Sequence, residues 1–117
     1  MYNAQNAKEM PRIAADTIFD GIVISVQDGK TKDFVTSKKW QGDMESSAIN
    51  VTIEVIANGQ SYKVNQVFPY MDVSGTTAYS SQSNLGRYKA KYGKLPELGD
   101  KVKLISNKEG FLKLKLD

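Results

Sequence analysis

Residues 49–70 most limit what this chain can fold into, and they read INVTIEVIANGQSYKVNQVFPY. The first half of this segment alternates apolar and polar side chains with a period of two, the pattern of a strand with one buried and one solvated face. Asn58-Gly59 follows, and both residues tolerate the positive φ angles of a type I′ turn. The sequence therefore predicts an antiparallel return strand over residues 62–68. Because a hairpin is not stable alone, other segments must complete the sheet over its apolar side.

The remaining segments supply the other strands. Residues 17–27 are rich in β-branched side chains and predict the first strand, and Gly21 inside it indicates a bulge or bend that lets one strand serve both ends of a small barrel. Residues 33–36 are expected to add a short strand. Residues 37–48 and 72–81 are polar and lack periodicity, so we expect two long loops there.

The last third of the chain predicts a short helix and a second hairpin. Three apolar side chains recur at i, i+3 and i+7 after a cap at Ser83 or Asn84, and Gly93 is suited to end the helix. Residues 101–105 and 111–116 then alternate leucine or valine with lysine, which predicts two more strands. The apolar side chains of the helix are Leu85, Tyr88 and Tyr92, which we expect to close the bottom of the barrel.

Composition excludes several classes of site. A chain of 117 residues with 40% hydrophobic residues suits one globular domain. It has no Cys and no His, which removes disulfides, zinc sites built on thiolate or imidazole, cysteine nucleophiles and histidine-based triads. Phosphate-cradling glycine motifs and calcium loops are absent from the sequence as well. We therefore predict no enzymatic activity, no catalytic residue, no metal and no cofactor.

The sequence also indicates where the protein works. No stretch approaches the roughly 18 apolar residues of a membrane span, and the first residues, MYNAQNAKEMPRIAAD, lack the pattern of a signal sequence. We expect an intracellular, cytoplasmic protein without membrane contact, associated with the nucleoid of a cell or present in the host cytoplasm if it is viral.

Charge is distributed unevenly. The net charge is +3, yet residues 1–81 carry seven Lys/Arg against nine Asp/Glu, whereas residues 82–117 carry nine against four. The basic last third suits a polyanionic partner, and it equally suits a solvated lysine-rich face.

The order of elements predicts the fold class. It runs strand, long loop, strand, tight hairpin, strand, loop with short helix, strand, tight hairpin, strand. Five strands with one helix between the third and fourth is the order of the OB-fold, a small, partly open Greek-key barrel. We expect a mainly β protein in which residues 17–117 form a single OB-fold-like domain. Residues 1–16, which are small, polar and interrupted by Pro11, are expected to be a flexible N-terminal arm.

In this pattern the chain resembles OB-fold nucleic-acid-binding proteins, particularly small single-stranded DNA-binding proteins, over residues 17–116. The resemblance is carried by the bend at Gly21, the turn Asn58-Gly59, the helix at residues 85–92 and the sequence LGDKV before the fourth strand. It implies a binding surface across strands 2 and 3, flanked by the loops that join strands 1 to 2 and 4 to 5. On such surfaces aromatic rings stack on unpaired bases, for about 1–3 kcal/mol each, and Lys or Arg follows the phosphates.

The resemblance assigns binding residues to three regions of this chain. The loop between strands 1 and 2 contributes Lys30, Lys32, Phe34, Lys38, Lys39 and Trp40. The outward face of the hairpin contributes Asn50, Thr52, Lys63 and Asn65, or Tyr62 and Gln66 if a bulge shifts the phase. The loop between strands 4 and 5, with the strand after it, contributes Asn107, Lys108, Phe111 and Lys113.

Two interpretations of this surface remain open. In the first, the protein binds single-stranded DNA, with RNA as a second option. It then acts in replication, recombination or repair without catalysing a reaction. In the second, the same barrel is a protein-interaction or assembly module, in which Trp40, Tyr79 and the strand edges meet another polypeptide. Trp40 would stack on a base in the first interpretation, whereas it could also simply cover the mouth of the barrel. Either interpretation allows a homo-oligomer or a replication or recombination protein as a partner.

The loop between the first two strands departs from a strongly basic groove. Its four lysines are balanced by four carboxylates, so the loop carries no net positive charge. The carboxylates are Asp28, Asp33, Asp43 and Glu45.

Overall fold

A computed structural model describes residue 5 and residues 14–35, 42–57 and 59–117. The predicted binding residues Lys38, Lys39 and Trp40 lie outside the described residues, as do Asn58 of the hairpin turn and most of the predicted N-terminal arm. The helices and strands of the described part are β1 (Ile18–Lys30), α1 (Thr31–Phe34), β2 (Ser47–Ala57), β3 (Gln60–Pro69), β4 (Met71–Val73), β5 (Thr76–Ala78), α2 (Asn84–Tyr92), β6 (Lys101–Ser106) and β7 (Leu112–Leu114).

The fold is mainly β and is organised around a nearly closed, barrel-like sheet of five antiparallel strands. Their order is β3-β2-β1-β6-β7, and the two end strands β3 and β7 lie next to each other without pairing. β4 and β5 form a separate two-stranded sheet. Among the described residues, no helix is long and apolar enough to cross a membrane.

β1 pairs with two neighbouring strands, as the glycine at position 21 predicts. Gly21 pairs with β2 and with β6 at once. A Cβ at this position would lie 2.5 Å from Cδ1 of Leu104 and 2.7 Å from Cγ2 of Ile53, so the core packs directly against the glycine backbone. The register shift of β1 on β2 lies a little further along, between Val23 and Ser25. The irregularity of β1 therefore lies beyond Gly21 rather than at it, and a bulge of this kind increases the local curvature of the sheet.

The central hairpin forms as the alternating pattern predicts. β2 and β3 pair without interruption from Ala48 opposite Pro69 to Ala57 opposite Gln60. The apolar side of this hairpin faces the core. Its fully buried residues include Val51, Ile53, Val55 and Phe68.

α2 closes one end of the core and has both of its predicted caps. The side chain of Ser83 accepts a hydrogen bond from the backbone N–H of Gly86, and Gly93 ends the helix with a left-handed φ of 83°. Leu85 and Tyr88 are buried, and the ring of Tyr88 meets that of Phe68 edge to face at 5.9 Å between centroids. The helix lies between β5 and β6, so a further hairpin precedes it.

The prediction of a short strand at residues 33–36 is wrong, because the chain turns into α1 instead. The carboxylate of Asp33 accepts a hydrogen bond from the backbone N–H of Lys30 at 2.9 Å, and the N–H of Val35 bonds back to the carbonyl of Thr31 at 2.9 Å. These local bonds satisfy the backbone within one helical turn.

The prediction of a long loop over residues 72–81 is also wrong for residues 72–78. Its first part forms the β4–β5 hairpin around Ser74 and Gly75, whose φ angles are 51° and 82°. Positive φ at both central residues is the geometry of a type I′ turn, and Asp72 accepts a hydrogen bond from the N–H of Gly75 at 2.9 Å.

The last residues of the predicted N-terminal arm that are described, 14–16, contact the end of β6. The N–H of Asp16 bonds to the carbonyl of Ser106 at 3.1 Å. The hydroxyl of Ser106, which is buried, accepts a hydrogen bond from the N–H of Thr17 at 2.9 Å and donates to the carbonyl of Ala14. These hydrogen bonds attach the segment before β1 to the end of β6.

Candidate nucleic-acid interface

We call the side of β1, β2 and β3 that faces away from the core the outward face. Because side chains alternate along a strand and antiparallel partners share a face, the unbroken register of β2 on β3 brings four predicted residues together there. Thr52 Oγ1 donates to Oδ1 of Asn65 at 2.8 Å, and Glu54 stands opposite Lys63. The four predicted residues on this face are Asn50, Thr52, Lys63 and Asn65.

Tyr62 and Gln66 lie on the other side of β3, since no bulge interrupts the β2–β3 pairing. Tyr62 is half-buried, and its hydroxyl donates to Oε1 of Gln60 at 3.1 Å. The phase of the hairpin thus separates Tyr62 from the polar residues of the outward face.

Phe34 reaches the edge of the outward face through α1. A Cβ added to Gly29 would lie 2.9 Å from Cζ of Phe34, and Gly29 pairs with Ala48, which is fully buried on the same side of the sheet. α1 is fixed there by the buried Thr31, whose N–H bonds to the carbonyl of Ser46 at 2.9 Å and whose Oγ1 lies 2.8 Å from the hydroxyl of Ser46. The half-buried ring of Phe34 therefore covers one end of the face.

Asn50 carries an unusual acceptor on the outward face. Its Oδ1 is buried, and no described residue donates a hydrogen bond to it. A buried polar atom without a partner costs about 1–3 kcal/mol. Asn50 at this position therefore lowers the stability of the fold.

One carboxylate holds the two lysines beside α1. Glu45 Oε1 lies 3.0 Å from Nζ of Lys32, and its Oε2 lies 3.3 Å from Nζ of Lys30. Hydrogen bonds from Lys32 and then Lys30 lower the pKa of Glu45 below its usual value, so the carboxylate is ionised at neutral pH. All three side chains are exposed, and the two lysines are brought together with their charges partly neutralised.

Phe111 is displayed by a tightly bonded turn between β6 and β7. Asn107 fixes the turn: its Oδ1 accepts from the N–H groups of Glu109 at 2.9 Å and Phe111 at 3.0 Å, and its own N–H donates to the carbonyl of Phe111 at 2.9 Å. Gly110 supplies the left-handed φ of 85° that the turn requires. Phe111 is nevertheless 67% exposed, and Lys108 in the same turn is exposed as well. Lys113 follows on β7 with its side chain exposed.

The sequence did not indicate the apolar part of the outward face. Ile22 and Ile24 of β1 and Ile56 of β2 are 39%, 38% and 63% exposed. β1 is β-branched or aromatic on both sides, with Phe19 and Val23 turned inward, so its alternation does not reveal which side faces water. The pairing with β2 decides that question.

No group of three or more His, Cys, Asp or Glu within the described part of the chain could hold a metal ion. Comparisons with protein-family models, with curated proteins and with solved structures found no match for this chain.

Proposed function

We propose that this protein is an OB-fold-like barrel that binds single-stranded nucleic acid, DNA in preference to RNA, through aromatic stacking and lysine–phosphate contacts. The strand order β3-β2-β1-β6-β7, with β3 beside β7, supports the OB assignment. In this assignment β6 and β7 correspond to the fourth and fifth strands, α2 to the intervening helix, and the β4–β5 hairpin to an insertion before it.

The observation that carries the proposal is the exposed ring of Phe111 on a turn that Asn107 holds in one conformation. Because the backbone of this turn is already hydrogen-bonded, little further ordering of the backbone is needed when a base stacks on the ring, so more of the stacking energy of about 1–3 kcal/mol appears as affinity. Lys108 and Lys113 on either side supply charges for the phosphates that flank the stacked base.

The outward face supports the same proposal. Asn50, Thr52 and Asn65 present short polar groups that suit base edges, while Ile22 and Ile24 present apolar surface that suits base faces. Phe34 lies at one end of this face.

The biological role proposed for this activity is protection or presentation of a strand during replication, recombination or repair, inside the cell. The protein would lie with the nucleoid, or in the host cytoplasm if it is viral. It would act without catalysis and without a cofactor.

A protein-interaction module is the second candidate, and the β4–β5 hairpin favours it. Met71 and Val73 are 62% and 56% exposed and share one side of this small sheet with Ala78. Exposed apolar side chains on a short hairpin suit a protein partner. The two candidates differ in salt response, because phosphate contacts weaken steeply as salt rises and apolar contacts do not.

The test is a titration of fluorescent oligo-dT at two salt concentrations with the wild type, Phe111→Ala and a matched control, Leu98→Ala. Leu98 is 68% exposed in another turn, so both changes remove comparably exposed apolar groups. We expect measurable binding that weakens at higher salt, a loss of about five- to 150-fold in Phe111→Ala, which corresponds to about 1–3 kcal/mol per stacked base, and little change in Leu98→Ala. Absence of binding even in dilute buffer would favour the interaction module, and equal affinities of the two variants would remove the stacking role of Phe111.

A further inference from the structure

A cavity of about 240 Å³ lies where the end strands of the sheet, β3 and β7, fail to pair. We call it the seam cavity. β3 has ten residues and β7 only three, so β7 cannot cover the whole edge of β3. The volume is several times the about 30 Å³ that one water takes in the liquid, which leaves room for a phosphate group. Its polar lining comes from β3, α2 and the end of the chain: Gln66, Asn84, Arg87, Lys113, Lys115 and Asp117.

The lining holds three cations against one side-chain carboxylate. Lys115 Nζ lies 3.3 Å from Oδ1 of Asp117, and Lys91 reaches the carbonyl of the same residue from α2. Within the described part of the chain, no carboxylate pairs with Arg87 or Lys113. The side chains that line the seam cavity therefore carry a net positive charge.

This arrangement differs from the cations near α1. There Glu45 engages both Lys30 and Lys32, so an incoming phosphate must first displace a carboxylate from two partners. At the seam cavity Arg87 and Lys113 are available without any such exchange, and only Lys115 has a competitor. Of these two groups of described cations, the one at the seam cavity is therefore more directly available to a polyanion than the pair beside α1.

The groups at the seam cavity match the chemistry of a phosphate. A guanidinium presents paired N–H donors that fit two phosphate oxygens, and an ammonium adds a point charge. The amides of Gln66 and Asn84 can donate further hydrogen bonds. A ligand of this kind needs oxygen acceptors and negative charge, which the phosphodiester of a nucleic acid supplies.

The seam cavity is close in sequence to the exposed ring of Phe111. Lys113 follows Phe111 by two residues, which is about 7 Å in an extended strand. A strand whose base stacks on Phe111 therefore has its next phosphates within reach of Lys113 and the seam cavity.

We propose that the seam cavity is a second phosphate site, which binds a backbone phosphate of a strand that continues from Phe111 across β7 towards α2. The inference rests on the proposed function, since the ligand is the same single strand. Asp117 acts as an internal competitor that leaves Lys115 when the phosphate enters. A longer strand should continue from Phe111 into this site, whereas a short strand that covers the outward face and ends with its last base on Phe111 should not reach it.

The experiment compares two lengths of fluorescent oligo-dT, one near the lower end of the about 4–16 nucleotides that single OB-folds cover and one above its upper end. The test variant is Arg87→Gln with Lys115→Gln. The matched control is Lys89→Gln with Lys101→Gln, which removes the same charge from exposed positions outside the seam cavity. Thermal unfolding of each variant establishes that it is folded.

We expect the test variant to bind the long strand about tenfold more weakly and the short strand within twofold of the wild type. For the test variant, the slope of log K against log salt should become less steep by about 0.7 for each phosphate that the protein no longer neutralises. Asp117→Asn should tighten binding of the long strand. A short strand that carries a 5′-phosphate is a further probe. If the 5′-phosphate tightens its binding to the wild type but not to a variant without Arg87, the group bound in the cavity is a terminal phosphate rather than a diester.

The outcomes separate the two proposals. If the wild type binds neither strand, the proposed function itself fails. If the wild type binds and the test variant loses affinity equally for both lengths, or no more than the control, the attraction is general and the seam cavity is not a phosphate site.

Discussion

The hydroxyl of Tyr88 donates a 2.7 Å hydrogen bond to Oδ2 of Asp100, and this bond joins the buried side of α2 to the turn that leads into β6. The same oxygen accepts from the backbone N–H of Glu97 at 3.0 Å, and Oδ1 lies 2.8 Å from Nζ of Lys94. Burial and then the bond to Asp100 raise the pKa of Tyr88, so the phenol stays a donor. Asp100 itself is only 8% exposed, so its charge is held by these three partners.

Asp100 should make stability depend on acid pH. Burial raises its pKa, but hydrogen bonds from Lys94 and Tyr88 outweigh burial, and the pKa lies below the usual 3.8. A folded pKa below the unfolded one adds stability above about pH 3.8, and this stability is lost as pH falls through the folded pKa. We expect Asp100→Asn to lower the free energy of unfolding at pH 7 by about 1–3 kcal/mol and to flatten its fall in acid, measured by urea unfolding at several pH values.

Asp20→Asn is the control for this prediction. Asp20 also contacts a lysine, Lys103, but its side chain is 82% exposed, and exposed pairs contribute little. Its unfolding free energy should match that of the wild type. If Asp100→Asn and Asp20→Asn behave alike at pH 7, the Tyr88–Asp100 bond does not stabilise the fold.

Gly86→Ala should destabilise the protein although it lies inside a helix. Helix propensity alone favours alanine over glycine by about 1 kcal/mol. In this fold, however, a Cβ on Gly86 would lie 2.2 Å from the carbonyl oxygen of Ser80 and 2.8 Å from Cα of Ser81. Backbone atoms cannot yield cheaply, so we expect a loss of about 1–3 kcal/mol in the free energy of unfolding. A gain in thermal stability would mean that residues 80–81 do not pack against α2 as described.

Local signals explain which elements could be predicted from the sequence. The β2–β3 hairpin combines alternation with a turn dipeptide, and α2 has a side-chain cap at Ser83 and a glycine at its end, so each could be recognised within its own segment. The β4–β5 hairpin has three-residue strands, one of them the polar Thr76–Ala78, which are too short for a periodic pattern. α1 depends on the carboxylate of Asp33 bonding backward to Lys30, and propensity alone does not reveal this.

The binding surface was less predictable than the fold. The outward position of Asn50 and Thr52 follows from alternation, but the exposure of Ile22 on the same face depends on tertiary pairing. The availability of a lysine's charge also depends on long-range contacts. Lys30 meets Glu45, fifteen residues away in the chain, and no local pattern indicates that pairing.

Asn50→Val should raise the stability of the fold and lower its affinity for single-stranded DNA. The buried Oδ1 of Asn50 lacks a donor among the described residues, and valine suits a half-buried strand position. We therefore expect the free energy of unfolding to rise by about 1 kcal/mol or more, while affinity for oligo-dT falls because the substitution removes a polar group from the outward face. Thr52→Val is the control, since Thr52 already bonds to Asn65 and should gain no stability. Unchanged oligo-dT affinity in Asn50→Val would exclude Asn50 from the interface.

Glu45→Gln should strengthen binding to single-stranded DNA by releasing Lys30 and Lys32. In the wild type a phosphate must compete with the carboxylate that both lysines contact, whereas the amide leaves both charges available. We expect a few-fold higher affinity for oligo-dT at low salt and a dependence of log K on log salt that is steeper by up to about 0.7 for each additional phosphate neutralised. Thermal stability should hardly change, because the pairs are exposed. Glu97→Gln removes the same charge from an exposed carboxylate that contacts Lys94, outside the proposed interface. If both variants raise affinity equally, net charge is the cause, and Lys30 and Lys32 do not bind phosphates.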